Sequence, residues 1–185
     1  MIARDITLTD GTILHLRDIA PADRDELERG FEHLSAESRY RRFLGQISAL
    51  SPWMLRYLTN VDGHDHVAIV ATVPADEGPR GVGVGRFVRL HDDPSVAEVA
   101  ITVTDDMQRK GVGTIIALAL ADEARRLGVE HFRGEVLVDN QPCRELLEDL
   151  GAQLNTAPDG TLSFDVSLER EAPVPGLRGA ALISP

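Results

Sequence analysis

The sequence predicts one domain of the α/β class, in which helices flank a mixed β-sheet. Its 185 residues suffice for a single hydrophobic core, and no shift in composition divides the chain into two parts. Apolar segments of strand length alternate with amphipathic segments of helix length. Their order is a strand, helices, three strands, a long helix, a strand, a helix and a strand, which favours one shared sheet over separate α and β regions.

The first third of the chain reads as one strand followed by three helices. The turn Asp10-Gly11 precedes the strand, and Pro21 opens the first helix. Leu27, Phe31 and Leu34 recur at the i, i+4, i+7 spacing of one helix face. The predicted elements are a strand at residues 12–19 and helices at residues 21–34, 35–44 and 52–58.

Three strands follow, separated by turn signals. They are predicted at residues 66–73, 81–90 and 96–103, with a turn-rich segment at residues 74–79 and a break at Pro94. In the third strand the apolar residues alternate, so that Glu98 is the one charge and shares its face with Ala100 and Thr102. These small neighbours leave room for a substrate beside the Glu98 carboxylate.

The last part contains the clearest helix of the chain. Apolar residues recur at helical spacing from Val112 to Leu127, and Gly128 ends the helix. The remaining elements are a strand at residues 131–138, a helix at residues 141–150 that Gly151 stops, and a strand at residues 161–168. We therefore predict a domain over residues 1–170 and a flexible tail, rich in Pro and Gly, over residues 171–185.

Composition limits the class of function. The formal net charge of −11 argues against nucleic acid and anionic membranes as partners, since both require basic surfaces. No apolar run reaches the length of a membrane span, and the N-terminus lacks the apolar segment of a signal peptide. Cys143 is the only cysteine, which indicates a reducing compartment. A cytoplasmic protein is the expectation.

One segment has the form of a phosphate-binding loop. Gln108-Arg109-Lys110-Gly111-Val112-Gly113-Thr114 fits the pattern Q/R-x-x-G-x-G between a strand and a long helix. Glycines let backbone N–H groups approach an anion closely, and the N-terminus of the following helix is electropositive. The context therefore predicts that a pyrophosphate binds here, although a plain strand-to-helix turn is the alternative interpretation.

Two competing interpretations of this pattern fail on context. Arg80-Gly81-Val82-Gly83-Val84-Gly85 fits equally well, but it continues into a strand and so offers no helix N-terminus to an anion. A Rossmann unit requires a third glycine, and Ile116 stands at that position. Lys110 is the only lysine of the chain, and we expect it to lie against the bound phosphates.

Glu98 is the candidate general base. An attacking ammonium with a pKa near 10.4 is almost entirely protonated at neutral pH, so a carboxylate beside a thioester could accept its proton. A solvent-facing strand residue is the alternative interpretation.

Three further groups favour structural interpretations. His64-Asp65-His66 lacks a third metal ligand at a suitable spacing, so a polar turn is expected and no metal is predicted. Cys143 starts a helix without a partner base, which indicates an inert thiol. The arginines around Tyr40 indicate a solvated helix face; the alternative is a wall for an acidic patch beside a target lysine. They are Arg39, Arg41 and Arg42.

Taken together, these segments resemble the GNAT superfamily of N-acetyltransferases. Residues 97–103, the loop 108–114 and the helix after it correspond to the family's acetyl-CoA motif, and Asp139-Asn140 with residues 146–151 to its downstream motif. Similarity to the acetyltransferase domain of bacterial Pat-type protein lysine acetyltransferases covers residues 10–12 with 16–17, 34–43, 61–62 with 66–71, and 97–100. The resemblance implies a GNAT-like fold with a mostly antiparallel, twisted sheet of about six or seven strands.

The resemblance also implies roles for individual residues. Backbone groups of Ile101 and Val103 would pair with the pantetheine arm of acetyl-CoA, which is a co-substrate. Asn140 would contact the coenzyme near its thiol, and Glu98 would be the general base. Amides along the loop would hold the pyrophosphate: Gln108, Arg109, Lys110, Gly111, Val112, Gly113 and Thr114. Leu147 occupies the position of the tyrosine that protonates the thiolate in many GNAT enzymes, so the general acid stays unassigned.

Three functions are open at this point. The first is acetylation of a protein lysine, and the second is acetylation of a small amine, which an acidic pocket near Glu98 would favour. The third is a non-catalytic acyl-CoA-binding module, which Leu147 favours and an intact Glu98 disfavours. The expected partners are acetyl-CoA and an amine acceptor, with a homodimer as one alternative for the assembly.

Overall fold

The computed structural model of the chain describes residues 2–76, 78–157 and 160–169. Eight strands in these ranges form one sheet in the order β1-β2-β3-β4-β5-β6-β8-β7. The strands are β1 (Ala3–Thr7), β2 (Ile13–Asp18), β3 (His66–Val73), β4 (Arg80–Arg89), β5 (Val96–Val103), β6 (His131–Leu137), β7 (Gln153–Thr156) and β8 (Thr161–Ser167). The helices are α1 (Arg24–His33), α2 (Ala36–Phe43), α3 (Pro52–Thr59), α4 (Val112–Arg126) and α5 (Gln141–Asp149).

The mixed α/β fold is confirmed, with more strands than the six or seven expected. The two additional strands are β1 and β7, and each lies at an edge of the sheet. Most residues of β1 and β7 are exposed, so neither carries the alternating apolar pattern that marks a half-buried strand. The predicted tail at residues 171–185 lies outside the described residues.

Neighbouring strands run antiparallel everywhere except between β5 and β6. These two are parallel and pair only from Val96–Glu98 to His131–Arg133. Beyond Glu98, β5 stays paired with β4 on one side but has left β6 on the other. The sheet therefore opens into a V at its centre.

Helix α4 packs on one face of the sheet over β3, β4 and β5. Its Ile116 and Leu120 are fully buried there. A Cβ atom on Gly85 would lie 2.3 Å from Ile116 Cγ2 and 2.7 Å from Leu120 Cδ1. On Gly83 it would lie 2.8 Å from Ile116 Cδ1. The glycines of the 80–85 segment thus let a helix lie close on a strand, which explains a second glycine pattern without a ligand.

The opposite face of the sheet is covered by α1 and α3 around a second, smaller hydrophobic cluster. Its buried members come from α1, α3 and the loops next to them. They are Phe31, Leu34, Leu50, Leu55 and Leu58. None of the helices in the described ranges has the length and apolar character needed to cross a bilayer.

Candidate active site

A large cleft continues the V between β5 and β6. Its volume is about 1150 Å³, and it is bounded by β5, α4, β6 and α5. Gly134 is the first residue of β6 beyond the last pair with β5, and a Cβ there would lie 3.3 Å from Val99 O and 2.7 Å from Phe164 Cζ. The absence of a side chain at Gly134 therefore lets the two strands meet at the closed end of the cleft.

The predicted phosphate loop forms the other end of this cleft. Arg109 and Gly111 both adopt left-handed backbone conformations, with φ of 60° and 84°. Gly111 is the N-cap of α4, and no side chain caps the first turn of this 15-residue helix. Left-handed positions that alternate with another conformation turn backbone N–H groups toward one side, and the uncapped helix adds further unpaired amides. The loop has the geometry of an anion site and fits a pyrophosphate.

The Gln108 side chain supports this loop from behind. Its Nε2 lies 3.2 Å from Ser38 Oγ, from Val103 O and from Asp105 Oδ1. Asp105 accepts hydrogen bonds from Ser38 Oγ at 2.5 Å and from the backbone N–H of Ser35 at 2.8 Å. This network joins the start of α2 to the loop. The contacts that Asp105 makes with Ser35 and Ser38 could not be predicted from the sequence, because 70 and 67 positions separate these residues along the chain.

The structure brings Arg109 to the cleft and turns the Lys110 side chain away from it. Arg109, Gly111, Gly113 and Thr114 line the cleft, whereas Lys110 does not. Lys110 Nζ lies 4.0 Å from Asp10 Oδ2 and 3.7 Å from Met107 Sδ. The expectation that the lysine charge faces the phosphates is therefore not supported. The carboxylate near this amine is that of Asp10, which the β1–β2 turn brings to the outer side of the loop.

Ile101 and Val103 both line the cleft. Both residues lie in the part of β5 that has no partner on the β6 side. Their side chains pack toward the core under α4, so the backbone edge is the part that a ligand would meet. An extended chain carrying amides, such as a pantetheine arm, could pair with this edge.

Glu98 lies where β5 and β6 part, on the face opposite to α4. It pairs with Arg133 of β6 and Val88 of β4, and its side chain is exposed. Within the described residues, its carboxylate takes part in no hydrogen bond or ion pair. Glu98 does not line the large cleft. A ligand in the cleft and a second molecule on the α1–α3 face would thus meet beside Glu98 from opposite sides of the sheet.

Helix α5 supplies the remaining wall of the cleft. Asn140 is its N-cap, and the Oδ1 atom accepts a hydrogen bond from Cys143 N at 3.4 Å. Burial raises the pKa of the Cys143 thiol, although Arg41 opposes this effect, so the residue stays a neutral thiol. Leu147 is buried and lines the cleft. Asn140 thus starts the helix and faces the same cleft as the predicted loop.

The arginines around Tyr40 are not the uniform solvated face expected from the sequence. Arg39 donates to the backbone oxygens of Leu34 and Glu32, at 3.0 Å and 2.7 Å. Arg41 forms an ion pair with Glu37 and also lines the cleft. Arg42 is half-buried between the cleft and the α1–α3 side of the sheet. The helix α2 presents these side chains in three directions, which a charge count along the sequence does not reveal.

The two histidines of the 64–66 segment do not converge. His64 is exposed and pairs with Asp65 at 2.8 Å, whereas His66 is buried and lies 3.1 Å from an Nη atom of Arg86. In the described ranges, no group of three or more His, Cys, Asp or Glu residues is arranged to hold a metal ion. His66 instead belongs to a buried cluster on the face that carries Glu98.

His66 predicts a loss of stability in acid. Burial, and then the charge of Arg86, lowers the pKa of His66 from 6.5 to about 4 in the folded protein. Between these values the unfolded chain binds a proton that the folded chain does not. The free energy of unfolding therefore falls with falling pH, by at most about 1.4 kcal/mol per pH unit for one group. Thermal unfolding midpoints between pH 7.5 and 4.5 should fall less steeply in His66→Gln than in the wild type.

The exposed neighbour provides the control for this prediction. His64→Gln should show the same pH dependence as the wild type, because His64 is open to solvent. Equal slopes for His66→Gln and the wild type would assign the acid sensitivity to another group.

Comparisons with known proteins agree with this geometry. Residues 14–153 match the family model described as an acetyltransferase (GNAT) domain. The acetyltransferase Pat of Mycolicibacterium smegmatis is 36% identical over 149 residues, which are 80% of this chain and 43% of that protein. An acetyltransferase of Pseudomonas aeruginosa is 31% identical over 153 residues, which are 83% of this chain and 82% of that protein.

Solved structures show the same relationship in three dimensions. The crystal structure of the GNAT domain of S. lividans PAT superposes with a TM-score of 0.82 at 28% identity, covering 89% of this chain and 96% of that one. The chain spans less than half the length of the M. smegmatis relative, so the match concerns the acetyltransferase domain. The chain belongs to the GNAT acetyltransferase family, and its domain is that of an acetyl-CoA-dependent N-acetyltransferase.

Proposed function

We propose that the protein transfers the acetyl group of acetyl-CoA to the side-chain amine of a protein lysine, with Glu98 as general base. The observation that carries this proposal is the position of Glu98. Its exposed carboxylate has no partner among the described residues and lies where the sheet opens, with the cleft behind it and the α1–α3 face in front. Coenzyme and acceptor can therefore approach from opposite sides and meet at one point.

The cleft orients the coenzyme along β5. Amides of the loop and of the first turn of α4 would hold the pyrophosphate, and Arg109 adds a positive charge. The unpaired edge at Ile101 and Val103 would hold the pantetheine arm as an added strand. This arrangement leads the thioester toward Val99 and Gly134 at the closed end, next to Glu98.

Chemistry at this point requires a neutral amine. Glu98 would take a proton from the ammonium, directly or through water, and the amine nitrogen would then attack the thioester carbonyl. The new C–N bond forms as the C–S bond breaks, the nitrogen releases its second proton to solvent, and coenzyme A leaves as a thiolate. Leu147 has no proton to give, so the thiolate obtains its proton from another donor in the cleft or from solvent.

A protein acceptor is favoured over a small amine for two reasons. First, Glu98 is exposed rather than enclosed in an acidic pocket, so a lysine on a large molecule could reach it. Second, Trp53 is 64% exposed and stacks on Tyr57 with ring centroids 5.6 Å apart, and Tyr57 in turn contacts His66 on the face of Glu98. Exposed aromatic side chains are common where proteins bind each other. The related Pat proteins support the same acceptor class.

The test is to incubate the protein with labelled acetyl-CoA and a lysate of its own source. Label on protein lysines, located by mass spectrometry and absent with Glu98→Gln, is the expected result. Label that accumulates only in small molecules would replace the proposed acceptor by a small amine. Tight binding of acetyl-CoA without any transfer would instead indicate a non-catalytic acyl-CoA-binding module.

A further inference from the structure

Among the residues that the structure describes, two arginines on the α1–α3 side of the sheet have no carboxylate partner. Arg86 is only 6% exposed, and it donates hydrogen bonds to Leu58 O and to His66 Nε2, both at 3.1 Å. The guanidinium of Arg42 lies 4.9 Å from the centre of the Phe43 ring. Within the described residues, neither arginine forms an ion pair, and Arg42 forms no hydrogen bond. Both positive charges are thus held in the protein without a compensating anion.

This arrangement is unfavourable for the protein alone. Burial of a charge without a counter-ion destabilises the fold, and a like charge nearby adds to that cost. Burial, and then the nearby charge of Arg42, lowers the pKa of Arg86 to about 10. Burial also lowers the pKa of Arg42. An anion between the two guanidinium groups would relieve both effects.

The space for such an anion lies beside the coenzyme cleft. Arg42 and Arg86 line a cavity of about 80 Å³ on the α1–α3 side of the sheet. Arg42 and Thr102 line both this cavity and the large cleft, so the two spaces share a wall. Arg86 is also the cross-strand partner of Ala100, which lines the cleft. The cavity is therefore adjacent to the strand along which the acyl group would arrive.

The carboxylates of the cavity wall are already bound elsewhere. Asp23 accepts from both Nη atoms of Arg17, at 2.6 Å and 2.7 Å. Glu26 accepts from the backbone N–H of Gly81 at 2.7 Å and also pairs with Arg29. Much of the remaining wall is apolar, with Phe31, Leu34 and Leu58 among its residues. Both carboxylates are thus engaged by other groups and do not neutralise the two arginines, and the volume of the cavity limits an added anion to a small one.

We propose that Arg42 and Arg86 form a carboxylate-binding site that accepts a free carboxylate of one of the two substrates. The small, partly apolar cavity fits a short chain that ends in a carboxylate, such as the succinyl group of a dicarboxylic acyl-CoA. The same site could instead hold a carboxylate of the acceptor. The inference rests on the proposed use of the cleft by an acyl-CoA, and it extends the donor or acceptor range to carboxylate-bearing groups.

The first arm of the test examines the acyl group. Isothermal titration calorimetry compares succinyl-CoA with butyryl-CoA, which has a methyl group in place of the carboxylate. The wild type should bind succinyl-CoA at least about tenfold more tightly, as expected for charge-assisted hydrogen bonds. Arg42→Met should abolish this preference. Arg56→Met, which removes an exposed charge from α3, should keep it. Since each variant is judged by a ratio, a general loss of coenzyme affinity does not affect the result.

The second arm examines the acceptor side. The complex with acetyl-CoA is titrated with propionate and with its neutral analogue propionamide. A preference for propionate that Arg42→Met removes would assign the site to an acceptor carboxylate. Both experiments are repeated with Arg86→Met if thermal melting shows that this variant folds. If it does not fold, the results for Arg42→Met alone test the carboxylate site.

The outcomes separate the two proposals. Failure of the wild type to bind acetyl-CoA would overturn the proposed function. Normal binding of acetyl-CoA, with no carboxylate preference in either arm or with a preference that survives Arg42→Met, would overturn the carboxylate site alone.

Discussion

Replacing Gly113 by valine is expected to abolish acetyl-CoA binding while the fold stays intact. Gly113 lies in the first turn of α4, where valine adopts the backbone conformation without strain. A Cβ there would lie 3.8 Å from Val103 Cγ2 and 3.9 Å from Leu146 Cδ2, which are ordinary contact distances. The valine methyl groups would then extend from a cleft-lining position into the path of the coenzyme. Calorimetry should show a loss of affinity on the order of a hundredfold or more, since backbone amides would no longer reach the pyrophosphate.

Gly85→Val is a matched control, in which the same substitution is expected to lower the stability of the fold. A Cβ at Gly85 would overlap with Ile116 and Leu120 in the core between β4 and α4. Such overpacking typically costs about 1–3 kcal/mol or more, so the melting temperature should fall clearly. The melting temperature of Gly113→Val should lie within a few degrees of the wild-type value, because substitutions outside the core change stability only slightly. If Gly113→Val binds acetyl-CoA like the wild type, the pyrophosphate does not lie at this loop.

Gly111 is a less informative position for this test. Its φ of 84° is unfavourable for valine, yet no atom lies within 4 Å of the Cβ that a substitution would add. A change at Gly111 would therefore act through backbone strain and through the start of α4, as well as through the ligand. Gly113 separates binding from folding because its backbone is already helical.

Glu98→Gln is expected to reduce turnover on the order of a hundredfold or more at pH 7 and to leave acetyl-CoA affinity unchanged. The glutamine has nearly the same shape but cannot accept the proton of the ammonium. The defect should shrink as the pH rises toward 10, because the acceptor amine then deprotonates without help. Steady-state rates from pH 7 to 10, together with calorimetry of acetyl-CoA, measure both parts of this prediction.

A control must distinguish the specific role of Glu98 from the general effect of removing one negative charge from the protein. Glu28→Gln removes an exposed carboxylate from α1 and should leave turnover unchanged. Wild-type turnover of Glu98→Gln at pH 7 would exclude a general-base role and leave water or the exposed His64 as the acceptor of the proton.

The two glycine patterns show what can be predicted from the residues next to a motif and what cannot. The sequence contains two equivalent matches, and only the one at residues 108–113 precedes a helix. This context is why an anion site is predicted at that match alone, because a helix N-terminus is a local feature. The reason for the other match became visible only in the sheet, where Gly83 and Gly85 face the side chains of α4.

Side-chain directions in the candidate site were harder to predict. Lys110 is adjacent to the loop glycines in sequence, but Asp10 lies near its Nζ from a turn one hundred residues earlier. Asp105 and Ser38 brace the loop through contacts between distant segments. No periodicity or motif marks such pairs, because their partners are neighbours in space alone.

The sequence by itself determined the fold class, most of the helices and strands and the position of the glycine loop before α4. Each of these depends on hydrophobic period, turn residues or helix caps within a short stretch of chain. Tertiary structure alone decided that β5 and β6 part after Glu98 and that Arg42 and Arg86 line one cavity with no counter-ion from the described part of the chain. These features arise where strands and helices far apart in the chain pack together, because pairing register and burial are properties of the assembled sheet.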